Sequence, residues 1–234
     1  MNKTVQTTAL AVLIAAAPMI GTAAPRKAPA AKAAKPAAPA AASPLSEAWT
    51  ALTNELNESM EGGDMVFRLD KVYGKPLSAP TQAKLKRVFG DTDPATLTRQ
   101  ANAAGGFDYR FTLVPFRYVD ADGGALNWTE LVATESIDAA QSQISGAFKW
   151  ERLDYKAKGL NITVNGVNGV GEQSRSGGDT WTGKGSGRVE SIVFDDPSKP
   201  GLAPRMEAIT YEASSTARGK LVDGAFTMNI ARIA

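Results

Sequence analysis

The sequence predicts an α+β protein in which N-terminal helices pack on a curved antiparallel β-meander, either an open sheet or a partial barrel. Two observations lead to this class. Apolar residues recur at helical spacing early in the chain, and the period changes to two from Phe107 onward. Clusters of Gly, Asn, Asp and Pro then separate the strand-like segments, as in sheets whose strands are joined by hairpins.

The first 23 residues have the pattern of a secretory signal peptide. Lys3 supplies the positive start, an apolar run covers residues 9–20, and the small residues up to Ala23 offer a cleavage site. This run is shorter than the roughly 20 apolar residues that a spanning helix needs. We therefore expect cleavage near Ala23 and a mature protein that is periplasmic or secreted and does not span the membrane.

Residues 24–44 contain mainly Ala, Pro and Lys, a composition typical of a disordered linker. Residues 45–234 then form one α+β domain, with a helical start over 45–106 and the β-meander over 107–234. Five of the 26 Lys and Arg residues precede residue 45, where no acid occurs, so the rest carries 21 against 24 Asp and Glu, a net charge of −3. This balance argues against a nucleic-acid partner.

Four elements are expected before Phe107. A helix begins at Ser46, which can cap it, and ends before the glycine pair at 62–63. Alternation then predicts a strand over Asp64–Tyr73. Two short helices follow, one over Thr81–Phe89 and one that begins at Asp93-Pro94 and ends at the glycine pair at 105–106.

From Phe107 the alternation predicts seven strands joined by turns, which is an antiparallel meander. The strands are expected at Phe107–Leu113, Leu126–Ala133, Ala147–Ala157, Leu160–Asn165, Arg188–Phe194, Met206–Ala213 and Ala225–Ile233. The turns are expected at Asp122–Gly124, Asn165-Gly166, Asn168-Gly169, Gly177–Asp179, Pro197–Gly201 and Asp223-Gly224.

One segment suggests a metal. Asp120, Asp122 and Glu130 are spaced around Gly124 in a way that resembles the calcium loop of helix-loop-helix calcium-binding proteins. The third ligand of that loop is missing, however, and the flanking residues alternate as in a strand. A hairpin turn accounts for the same residues, so we expect no cofactor, with calcium at these three residues as the alternative.

Most catalytic devices are absent. The chain contains no His and no Cys, which removes the usual base, the thiol nucleophile, disulfides and the usual zinc ligands. Pairs of carboxylates remain, and they suffice for glycoside hydrolysis. The candidates are the Asp195-Asp196 pair and the acids of the calcium-like segment. The sequence therefore favours a protein that is not an enzyme, although it leaves the question open.

Aromatic residues on the predicted strands provide the candidate binding surface. Trp128, Phe148 and Trp150 could line an apolar groove, or they could be core residues, because a sheet must bury one face. The expected function is a non-enzymatic exported envelope protein that binds an apolar small molecule or an envelope protein, or is structural. A carboxylate-dependent glycan hydrolase and a calcium-stabilised adhesion or matrix module are the alternatives. The sequence does not predict an oligomeric state.

Overall fold

The computed structural model describes residues 44–58, 69–91, 93–119, 121, 123–157, 160–175, 180–196, 203–218 and 221–234. The predicted signal peptide and nearly all of the predicted linker lie outside the described residues. The helices are α1 (Pro44–Glu58), α2 (Leu69–Val72) and α3 (Ala79–Phe89). The strands are β1 (Ala95–Ala101), β2 (Phe107–Leu113), β3 (Phe116–Val119), β4 (Ala125–Trp128), β5 (Leu131–Ile137), β6 (Gln143–Ala157), β7 (Leu160–Arg175), β8 (Trp181–Asp195), β9 (Arg205–Arg218) and β10 (Leu221–Ile233).

The described strands form one open, antiparallel sheet, as the alternating pattern predicts. Its order is β1-β2-β5-β6-β7-β8-β9-β10, and the β3–β4 hairpin joins it through pairing of β4 with β6. Strand β6 is long enough to pair with β5 along one half and with β4 along the other. The last five strands have 13 to 16 residues each, so they are about 43 to 53 Å long at roughly 3.3 Å per residue.

Alternation gives the sheet two chemically different faces. Phe148 and Trp150 are buried, whereas Lys149 between them is exposed. We call the side that carries Phe148 and Trp150 the core face and the opposite side the open face. Directly opposite residues on neighbouring strands share a face, so Trp150, Val167, Val189 and Ile209 form one row of buried side chains across four strands.

A crease crosses the long strands and changes which residues face the core. Gly166 has φ of 63° and Ala208 has φ of 49°, both in the left-handed region. Neither residue is paired in its ladders, although the register is the same on both sides of it. The buried positions on β7 change from Ile162 and Val164 to Val167 across this point. Glycine is needed at 166 because a Cβ there would lie 2.2 Å from Glu190 Cγ.

The helices contact the sheet through a limited set of apolar side chains. Leu85 and Val88 of α3 and Leu45 and Ala48 of α1 belong to the same buried cluster as the core-face residues. The ring of Phe89 lies 4.7 Å from that of Phe116 and 5.7 Å from that of Trp128. These contacts place α3 beside the β3–β4 hairpin, and α1 packs against α3.

The short helix α2 is held by a buried carboxylate. Glu135 on β5 accepts hydrogen bonds from the backbone N–H groups of Leu69 (3.0 Å) and Asp70 (3.2 Å). Leu69 belongs to a second apolar cluster with Tyr109, Ile137, Ile144 and Trp181. The carboxylate therefore satisfies two N–H groups at the first turn of α2, which have no partner within the helix.

Two of the four elements predicted before Phe107 are wrong. Residues 69–72 are helical, so the strand predicted over Asp64–Tyr73 is wrong there, and residues 64–68 lie outside the described residues. The helix predicted from Asp93-Pro94 is instead β1, which pairs with β2 along its whole length. The helix over 81–89 is confirmed as α3, where Ser78 caps the N-terminus by accepting the N–H of Thr81. The first helix is also confirmed as α1.

The predicted turns inside β7 are wrong as well. Both Asn-Gly pairs, at 165–166 and 168–169, lie within the continuous strand β7. Pairing with β6 and β8 on both sides outweighs the local turn preference of these dipeptides. The turn predicted at Asp223-Gly224 is also wrong, because both residues are paired within β10. The strand predicted over Leu126–Ala133 consists of two, β4 and β5, and β3 was not predicted at all.

Candidate functional site

The open face carries a trough that runs across eight strands. Its volume is about 1140 Å³, and it is lined by three neighbouring rows of the pairing register. One side row is Thr98, Arg110, Thr134, Ala147, Val170, Ser186, Glu212 and Thr227, and the other is Gln100, Asp108, Ser136, Ser145, Glu172, Lys184, Ser214 and Ala225. Seven strand spacings of about 4.8 Å make the trough roughly 34 Å long.

The middle row forms the floor of the trough and contains glycine on three successive strands. Gly146 on β6, Gly171 on β7 and Gly185 on β8 lie directly opposite one another. Glycines inside strands are where sheets bend, because no side chain resists the bend. The aligned glycines therefore explain why the sheet is concave on its open face at this row.

Polar side chains of small size dominate the lining. Seven Ser and Thr residues line the trough, and the apolar side chains of its side rows are those of Ala147, Val170 and Ala225. Lys184 forms an ion pair with Glu172 at 3.0 Å between the two central strands. Arg110 and Asp108 lie on β2 and Glu212 lies on β9, so the β2 end carries one charge of each sign and the β9 end carries an anion. This lining can donate and accept hydrogen bonds along the whole trough.

Asp108 is a hydrogen-bonded carboxylate of the trough. Hydrogen bonds from Ser136 and Asn102 lower its pKa below the ordinary range. The amide of Asn102 lies 3.2 Å from Asp108 Oδ1. Asp108 is therefore ionised at neutral pH and suited to accepting hydrogen bonds rather than to donating a proton.

The three aromatic residues predicted to bind a ligand lie together, but not in the trough. Trp128, Phe148 and Trp150 are buried in one apolar cluster on the core face. The indole N–H of Trp128 donates to the carbonyl of Val114 at 2.9 Å, and that of Trp150 donates to Thr129 at 3.0 Å. These three residues thus contribute to the core, and a binding role for them stays a prediction.

The calcium-like segment joins two strands of a hairpin. Its flanks are β3 and β4, in which Val119 pairs with Ala125. Asp120 and Asp122 lie outside the described residues, and Glu130 is exposed in the link between β4 and β5. Among the residues that the structure describes, no group of three acidic side chains is placed to hold a metal ion.

Sequence reasoning missed every side chain of the trough. These residues are ordinary Ser, Thr and charged residues at every second position of long strands, a pattern typical of any solvated sheet face. One signal was available, namely the glycines at alternate positions 183, 185 and 187 of β8. Only the register shows that one of them lies in line with Gly171 and Gly146.

The fold and the trough define a protein built on a long, open antiparallel sheet with a ligand-sized concave surface. The chain belongs to a family of bacterial proteins of unknown function, DUF945, whose model matches residues 76–234. The matched region contains α3 and all ten described strands, and therefore the whole trough. No curated protein and no solved structure matches the chain. Among the described residues, no helix has both the length and the apolarity to cross a membrane.

Proposed function

We propose that this protein is exported to the periplasm or secreted, and that it binds another envelope component along the trough without catalysing a reaction. The trough is the observation that carries this proposal, because it is a concave, solvent-open surface long enough for an extended ligand. The signal-peptide pattern that ends near Ala23 supports export. The component is an extended segment of another protein.

The lining supports a polar, extended ligand over an apolar one. Ser and Thr hydroxyls along both side rows can pair with the N–H and C=O groups that an extended peptide presents along its length. Val170, with 57% of its surface exposed, offers one apolar contact near the middle. At the β2 end, Arg110 and Asp108 offer one cation and one anion to such a segment, and at the β9 end Glu212 offers an anion.

The acid chemistry of the trough supports binding over hydrolysis. A glycosidase needs one carboxyl group whose pKa is raised so that it can donate a proton. Among the carboxylates that line the trough, Asp108 has a lowered pKa because it accepts hydrogen bonds, Glu172 is paired with Lys184, and Glu135 accepts two backbone N–H groups of α2. Tyr109 is the one aromatic residue among the described residues that line the trough, and it is buried, so it does not offer a stacking surface to a sugar.

Crosslinking in living cells tests the binding surface. A photoreactive amino acid replaces Val170 in the trough or, as a matched control, Val119, which is 52% exposed and lies outside it. We expect one protein adduct at position 170 that is absent at 119, with the crosslinked peptide identified by mass spectrometry. Arg110→Glu should reduce this adduct. A lipid adduct, or equal adducts at both positions, would overturn the proposal.

Fractionation tests the export step separately. We expect the chain to be found outside the cytoplasm, with the mass of a mature chain that begins at Ala24. A full-length chain that stays in the cytoplasm would overturn export. The crosslinking result could still be interpreted, because the adducts are identified on this chain wherever it is located.

A further inference from the structure

The last strand of the sheet is an unusually open edge. Strand β10 is the outermost in the sheet order, and none of the described residues pairs with its far side. Proteins usually protect such an edge with Lys, Pro or a short length. Strand β10 has 13 residues and contains neither Lys nor Pro. It therefore presents a long row of backbone N–H and C=O groups to solvent.

The same strand exposes large apolar side chains on one face. Phe226 lies opposite Ala213 and Met228 lies opposite Tyr211, so both belong to the core face. Their side chains are 51% and 57% exposed. The row of Met228 is buried at Phe148 on β6 and Gly169 on β7, and it continues on β10 without cover, a pattern typical of an interface.

We propose that β10 pairs antiparallel with β10 of a second copy of this chain, around a two-fold axis at Thr227. In this register Phe226 of one copy lies opposite Met228 of the other, twice, and Gly224 lies opposite Ile230, also twice. A thioether beside an aromatic ring and a large residue beside glycine are favourable neighbours. The strand is therefore self-complementary in shape around this axis, as an isologous interface requires.

Within one copy, large side chains already pack over glycines of the neighbouring strand. The ring of Phe148 lies over Gly169, where a Cβ would be 2.5 Å from Phe148 Cε1. Tyr211 lies over Gly187 in the same way on the next pair of strands. The proposed contact of Ile230 with Gly224 would repeat this arrangement across the axis.

Charge favours antiparallel over parallel pairing. Strand β10 carries two charged residues, Asp223 near its start and Arg232 near its end, where Arg232 also forms an ion pair with Glu207 of β9 at 3.5 Å. Antiparallel pairing brings Asp223 of each copy towards Arg232 of the other, whereas parallel pairing would bring like charges together. Attraction at both ends therefore favours the antiparallel dimer.

A dimer of this kind would also join the two troughs. Thr227 and Ala225 line the β10 end of the trough and are on the open face. An axis perpendicular to the sheet at Thr227 keeps both open faces on one side, so the two troughs would meet end to end. The dimer does not depend on what the trough binds.

Single cysteines give a sharp test because the chain has no Cys of its own. In the proposed register, Thr227→Cys places two Cα atoms about 4.5 to 5.5 Å apart, within reach of a disulfide. Ala225→Cys is the matched control on the same face of the same strand. Its two copies would be roughly 14 Å apart, at about 3.4 Å per residue along the strand.

We expect oxidation with copper phenanthroline to convert most of Thr227→Cys, and little of Ala225→Cys, into a covalent dimer. Equal dimer from both variants, or none from either, would overturn the register. Sedimentation of the cysteine-free chain tests the dimer itself. The cysteine-free chain should be dimeric. Phe226→Lys should raise the dissociation constant of the dimer at least tenfold, whereas Val119→Lys should not. A chain that sediments as a monomer at every concentration would overturn the proposal.

Discussion

The two ends of the core face differ sharply although their sequence patterns are alike. Trp150 on β6 is 4% exposed, whereas Met228 on β10 is 57% exposed, and both belong to the same face of one sheet. Both strands alternate between apolar and polar residues. Alternation thus marks which face of a strand is apolar, but it does not say whether another layer covers that face.

The largest effect should be the loss of stability in Trp150→Ala, at the covered end of the core face, compared with Met228→Ala at the exposed end. Trp150→Ala removes a buried ring and its hydrogen bond to Thr129, so we expect it to lower the free energy of unfolding by about 3 to 5 kcal/mol. Met228→Ala should cost less than about 0.5 kcal/mol in the monomer, since its side chain is exposed. Urea unfolding of dilute protein measures both, and equal losses would contradict the contrast.

Glycine substitutions on β8 and β10 should have a smaller effect that again depends on whether a neighbouring side chain covers the glycine. A Cβ at Gly187 would lie 2.2 Å from Tyr211 Cζ and 2.5 Å from the Asn168 carbonyl, so Gly187→Ala should cost about 1 to 3 kcal/mol. At Gly224 the nearest atom of the same chain would be 3.8 Å away, so Gly224→Ala is the matched control and should cost nothing measurable in dilute, monomeric protein.

Tyr211 offers a direct readout of the first substitution. Burial raises the pKa of Tyr211 to about 12. If the added methyl group pushes the ring outward, ultraviolet titration of Gly187→Ala should find this pKa closer to the ordinary value of about 10. An unchanged tyrosine titration together with a full loss of stability would mean that the backbone, not the ring, absorbs the clash.

The smallest effect should be the pH-dependent contribution of Asp154 to the free energy of unfolding. Asp154 on β6 accepts hydrogen bonds from Arg152 and from Thr163 on β7, and its pKa is lowered, chiefly by Arg152. A lowered pKa in the folded state means that the contribution is present above the unfolded value of about 3.9 and is lost as pH falls through the folded value.

Unfolding of the wild type and of Asp154→Asn should therefore differ at neutral pH and converge in acid. Arg152→Gln removes the main cause of the shift, so its stability should also approach that of the wild type in acid. A difference that stays constant from neutral pH down to strong acid would show that Asp154 contributes through packing alone.

Local signals predicted some elements well. Helix α3 has a cap at Ser78 and apolar residues at helical spacing, and β2 has a clear period of two, so both could be recognised without tertiary information. Strand β1 could not, because Asp93-Pro94 and the later glycines have the chemistry of helix ends. Pairing with β2 over seven residues decides its conformation instead.

The candidate site was largely beyond the reach of sequence reasoning. Trp128, Phe148 and Trp150 were expected either at a groove or in the core, and only their contacts place them in the core. The trough depends on the register of eight strands, which aligns Gly146, Gly171 and Gly185 in one row. These glycines are 25 and 14 positions apart along the chain, and no local pattern in the sequence shows that they are aligned.

The sequence by itself determined the antiparallel sheet and the absence of histidine and thiol chemistry, because residue type and period are local properties. The tertiary structure decided the concave row, the burial of the aromatic side chains and the exposed apolar edge on β10. Each of these depends on which strands become neighbours and which faces are covered. Long-range pairing sets both, and no single stretch of the chain encodes it.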